Sequence, residues 1–154
     1  MTTVQPTRRL GSVLVALQFS LLAGLAAFAL PSFLVGHASA GAWALVAAGL
    51  LLGLWAPSSN RPGNFNIRPI PRDGGQLVQT GPYRWIRHPM YTALIVVASG
   101  AALAGPNVGV WWLFAGLFAT LWVKAVLEER WMFLAHPGYL AYQKLTRRFI
   151  PGVY

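Results

Sequence analysis

Residues 81–91 read Gly81-Pro82-Tyr83-Arg84-Trp85-Ile86-Arg87-His88-Pro89-Met90-Tyr91, a dense polar cluster in a chain that is 56% hydrophobic and only 10% charged. The cluster ends where an apolar run begins. Pro89 suits the first turn of a helix, because the N–H it lacks would have no partner there. His88 then stands at the helix mouth, with Tyr91 just inside. Spare N–H groups and partial positive charge at such a mouth attract an anion, for example a ligand carboxylate. Arg87 adds a forked donor for the same kind of group. The plainer alternative is a turn at a membrane surface, with Tyr and Trp as anchors and Arg facing lipid phosphate.

Apolar runs lie on both sides of this cluster. After Arg8-Arg9, residues 10–30 carry no charge and are long enough to cross a bilayer as a helix. Gln18 and Ser20 are its strongly polar interior residues, and they are expected to face another helix. Ala38-Ser39-Ala40 looks like a signal-peptidase site, but the run before it far exceeds a signal h-region, so it reads as a retained anchor. Residues 31–41 form a turn without Lys or Arg, in which His37 is a solvated loop residue. Residues 42–56 are short for a span and reach sufficient length only if the helix starts near Ser39. Small residues (Gly24, Ala26, Ala27, Ala47, Ala48, Gly49) would let this hairpin pack closely. Across residues 57–88, Pro57, Pro62, Pro69 and Pro71 rule out a long helix. Residues 89–104 and 108–127, joined by Gly105-Pro106-Asn107, supply a second antiparallel hairpin.

The expected architecture is an all-α integral membrane protein with one domain over residues 1–154. Its spans cover about 10–34, 39–56, 89–104 and 108–127. A cytoplasmic loop occupies 57–88, and an interfacial helix over 128–146 is interrupted at His136-Pro137-Gly138. The net charge of +9 falls at the N-terminus, in the 57–88 loop and beyond the fourth helix. That distribution belongs to a membrane protein rather than a nucleic-acid binder, and it places both termini and both polar clusters in the cytoplasm. Without cysteine there is no thiolate site, and His37, His88 and His136 lie too far apart for metal-ligand spacing, so no metal is expected. High alanine, no cysteine and the short chain fit a prokaryotic inner membrane.

A second polar cluster ends the last long apolar run. Glu128-Glu129 are followed by Arg130-Trp131, His136-Pro137-Gly138-Tyr139, Tyr142 and Arg147-Arg148-Phe149-Ile150-Pro151. Taken with Leu77-Val78-Gln79-Thr80-Gly81-Pro82-Tyr83 and Arg87-His88-Pro89-Met90-Tyr91, this order and spacing over roughly residues 64–151 resembles the isoprenylcysteine carboxyl methyltransferase family, related to the membrane phospholipid methyltransferases. The resemblance implies an S-adenosylmethionine cofactor contacted by Tyr83, His88, Pro89, Met90, Tyr91 and Glu128, with backbone contacts from Gly75, Gln76, Leu77 and Val78. It also implies a basic acceptor-binding residue at Lys124, usually Arg in the family.

The residues admit this chemistry. The two clusters sit at the same ends of neighbouring helices, so they face each other. A carboxylate such as Glu128 suits the cofactor ammonium, the helix mouth with His88 suits its carboxylate, and Tyr83 and Tyr91 suit its adenine or sulfonium. Adjacent helical residues point about 100° apart, so the two glutamates divide the work. Glu128 goes to the cofactor, and Glu129 to an Arg partner, Arg87, as the expected catalytic pair. Lys124 and Arg87 at the mouth would favour an anionic acceptor, the carboxylate of a lipid-like or prenylcysteine-like molecule, with membrane lipids as further partners. A carboxylate acceptor needs no general base. Alternatives are an N- or S-methyltransferase acting on a phospholipid or other small lipophilic acceptor, a sterol-type membrane reductase using NADPH, and a non-catalytic membrane interaction module. NADPH phosphates would sit badly against Glu128-Glu129, and the chain has no Gly-x-Gly-x-x-Gly fingerprint.

Overall fold

The computed structural model describes residues 8–60 and 76–153. Four long helices and one short one make up the fold: α1 (Arg8–Leu34), α2 (Ala40–Ser58), α3 (Pro89–Ala104), α4 (Gly109–Ala135) and α5 (Tyr139–Leu145), with a 3-10 turn at Gly81–Arg84. Helices α1, α2 and α4 are long and apolar enough to cross a membrane, and α3 is shorter. No strand is present among the described residues. The protein is an all-α integral membrane protein.

Exposure runs opposite to that of a water-soluble bundle. On α1 only a narrow stripe (Gly11, Leu14, Gln18, Leu25, Ala29) is buried, while Val13, Leu17, Phe19, Phe28 and Leu30 lie open. Such a surface is stable against lipid tails, which are as apolar as the side chains themselves. Ser39 caps α2 by accepting a bond from Ala42 N at 3.2 Å, so this helix begins early enough to reach spanning length. α3 lies chiefly against α2, and also meets α1 and α4. The α2–α3 seam depends on missing side chains. A Cβ on Gly100 would come within 2.7 Å of Ala42 O, and one on Gly49 within 2.8 Å of Ala93 O.

One element differs from the sequence expectation. α4 does not end at Leu127 but continues unbroken to Ala135, so Glu128 and Glu129 lie within it. Nothing between Glu128 and Ala135 breaks a helix, and the stop comes at His136, the residue before Pro137, which turns extended (φ −128°, ψ 109°). The tail helix expected over 128–146 therefore shrinks to α5.

Candidate functional site

Five segments meet at the end of the bundle away from the α3–α4 turn. The chain after α5 pairs with the chain before α3: Arg87 N donates to Arg147 O at 2.7 Å, His88 N to Arg148 O at 3.1 Å, and Arg147 N to Trp85 O at 2.9 Å. Thr92 Oγ1 donates to Phe149 O at 2.8 Å, and Tyr142 Oη to Tyr83 O at 2.7 Å. These bonds strap the tail across the mouth of α3. An extended chain alternates its side chains, so Arg147 is exposed while Arg148 turns inward.

At the centre lies Glu129, whose side chain is only 7% exposed. Its Oε1 accepts from Arg87 Nε at 2.9 Å and Arg148 Nε at 3.1 Å, and its Oε2 from an Arg148 terminal nitrogen at 2.8 Å. His88 Nε2 stands 3.2 Å from Oε1, and Gln143 Nε2 3.4 Å from Oε2. Buried charges of this kind are tolerated only when paired and hydrogen-bonded. Arg87 further donates to Thr146 O at 2.6 Å and Gln143 O at 3.2 Å. The Arg148 guanidinium lies over the Trp122 ring, 4.7 Å from its centroid.

Glu128 is treated differently. Its side chain is 22% exposed. Its Oε1 accepts from the Tyr91 hydroxyl, and its Oε2 lies 3.3 Å from His88 Nδ1. A carboxylate has about four lone-pair sites, so it retains acceptor capacity toward the opening. His88 bridges both glutamates, and the direction of its titration follows. Burial lowers its pKa, but hydrogen bonds and attraction from Glu128 and Glu129 outweigh that, and the pKa ends above the ordinary 6.5. Both ring nitrogens face carboxylate oxygens, so the two glutamates favour its charged form. With its ring so engaged, His88 puts no side-chain cap on the first turn of α3. Tyr83 is pushed up to about 12, by burial first and then by the nearby charge of Glu128, so it stays a neutral phenol.

A family described as phospholipid methyltransferase matches residues 38–136, well over half of the chain. The chain belongs to the phospholipid methyltransferase family. That family includes the isoprenylcysteine carboxyl methyltransferases, and membership makes the chain a member of a family of membrane methyltransferases. No curated protein and no solved structure matches it. The family match covers α2, α3 and α4, and leaves α1 and the tail strap outside.

Of the residues singled out by sequence, Arg87, His88, Tyr91, Glu128 and Glu129 come together in this cluster, while Pro89 and Met90 form the first turn of α3. Leu77 and Val78 are half-buried in the irregular segment before the 3-10 turn, and Gln76 beside them is exposed. Gly75 lies outside the described residues. Lys124 is found elsewhere than at an open mouth. It is 1% exposed, inside the bundle, with its Nζ donating to Gln18 Oε1 at 2.6 Å and lying 5.1 Å from the Tyr91 ring centroid. Sequence reasoning gave no site role to Arg148, Gln143 or Gln18. The paired Arg147-Arg148 in an extended tail was the signal for the first. The other two depend on which helix faces which.

Proposed function

We propose that this chain is an S-adenosylmethionine-dependent methyltransferase acting on the carboxylate of a lipid-like acceptor. Glu128 carries the reading, as a partly open carboxylate beside a closed and neutralised Glu129. Glu128 would hold the cofactor ammonium, and the uncapped first turn of α3 would hold its carboxylate. Trp131 Nε1, one helical turn beyond Glu128, is buried and has no acceptor among the described residues. Buried donors are rarely left so, which fits a ligand group here. When bound, the cofactor supplies a methyl group already activated by its sulfonium sulfur.

Charge and proton supply favour a carboxylate acceptor. Arg87 and Arg148 bring two guanidiniums to the cluster, which suits an anionic acceptor, while the partly open Glu128 is taken up by the cofactor ammonium. Glu129 already accepts from Arg87 and Arg148, and both ring nitrogens of His88 are engaged by the two glutamates. The cluster thus offers no ready base among the described residues to strip an amine. A carboxylate is ionised at neutral pH and needs none. The description of the family favours a second reading, N-methylation of a phospholipid amine.

Two measurements test this reading. S-adenosylhomocysteine should raise the unfolding temperature of detergent-purified protein by mass action, and NADPH should not; the reverse pattern would remove the methyltransferase reading. Incubation of native membranes with methyl-labelled cofactor should give a lipid product whose label leaves as methanol in mild alkali. An alkali-stable label would move the acceptor to the amine side.

A further inference from the structure

Among the described residues Lys124 is the largest side chain with under 2% exposure, and it lies in a helix long and apolar enough to cross the membrane. An ionisable group in such a place is expensive and calls for a functional account. Lys124 stands four residues before Glu128 on α4, where side chains one turn apart meet. Its ammonium nevertheless donates to Gln18 Oε1 at 2.6 Å, across the seam with α1. The same ammonium lies over the Tyr91 ring, and the Tyr91 hydroxyl donates to Glu128. A cation on the ring face and a carboxylate at the hydroxyl hold Tyr91 from two sides.

We propose that Gln18 is a positioning residue that holds Lys124 toward α1 and so keeps Glu128 open to the ammonium of the cofactor, with Tyr91 fixed between them. This rests on the cofactor reading given above for Glu128. Without the Gln18 oxygen, Lys124 loses that acceptor, and Glu128, one turn on along the same face of α4, is a carboxylate it can turn to. Lys124 would then fold onto Glu128 and compete with the ligand ammonium for it. The first helix, which lies outside the family match, thereby becomes part of the site.

The test is a rescue experiment on full-length protein in detergent, with S-adenosylhomocysteine titrated by calorimetry. Gln18→Leu should weaken binding about tenfold, the scale of one hydrogen bond to a charged group. Gln18→Leu combined with Lys124→Met should bind more tightly than Gln18→Leu, because the competing cation is gone, and stay short of wild type by the lost hold on Tyr91. Gln18→Glu, which still accepts from Lys124, should bind nearly as wild type, and it serves as the comparison if Gln18→Leu does not fold. A role in packing alone predicts the opposite order, with the double variant no better than Gln18→Leu, and that result would overturn the proposal. So would wild-type affinity in Gln18→Leu. Wild-type protein that fails to bind S-adenosylhomocysteine would overturn the cofactor reading itself, and is distinguishable from both.

Discussion

The two ends of the α3–α4 hairpin are held by different physics. At the turn end, Ala98, Ala101, Ala104 and Val110 are buried together, and the hydrogen bonds are local, such as Gly105 N to Ala102 O at 3.2 Å. At the other end, two carboxylates, two guanidiniums and an imidazole lie within one network closed by a tail strap. Apolar packing degrades by degrees, since each removed or added methylene has its own modest effect. The polar end has no such gradation. Removing one partner leaves the others charged and buried, so the same helices should respond smoothly at one end and abruptly at the other.

The largest effect should follow from Glu129→Leu, which strips Arg87, Arg148 and His88 of their shared acceptor. A loss of about 3–5 kcal/mol is expected, read as a collapse of the thermal midpoint in detergent. A near wild-type midpoint would show that the network does not hold the tail. Gly100→Val acts on the apolar α2–α3 seam, where its Cβ would press on Ala42 O. It should remove about 1–3 kcal/mol while leaving affinity for S-adenosylhomocysteine unchanged in the folded fraction.

A pH series separates the ends further. Because the pKa of His88 is raised by its carboxylates, its contribution is fully present below about 6.5 and is lost as pH rises through the raised value. Wild-type midpoints should therefore fall on the alkaline side over that window, and His88→Gln should flatten the dependence. An equal slope in both proteins would assign the titration to another group. The smallest effect belongs to the lipid-facing surface. Trp112 is 75% exposed, and Trp112→Phe should change stability by no more than about 0.5 kcal/mol.

Much of this organisation was legible in the sequence, because runs of apolar residues broken by Pro and Gly report helix number directly. The end of α4 was not legible. The polar residues from Glu128 onward read as an exit from the membrane, yet helix propensity carries through them until Pro137. The resemblance was legible because its motifs keep order and spacing, and the family match supports it. Partner choice was harder. Lys124 and Glu128 share a face by spacing, but that Lys124 turns to Gln18 depends on α1 packing beside α4, which no local pattern encodes. The part played by Arg148 likewise comes from the tail folding back onto residues 85–88.

The contrast between the two adjacent glutamates is the centre of the account, and one titration addresses it: calorimetry of S-adenosylhomocysteine against Glu128→Gln. Losing one charge-assisted contact to the ligand ammonium should weaken binding by about 10–100-fold, while the ligand-free unfolding midpoint stays far nearer to wild type than that of Glu129→Leu. Wild-type affinity in Glu128→Gln would contradict the assignment of this carboxylate to the cofactor.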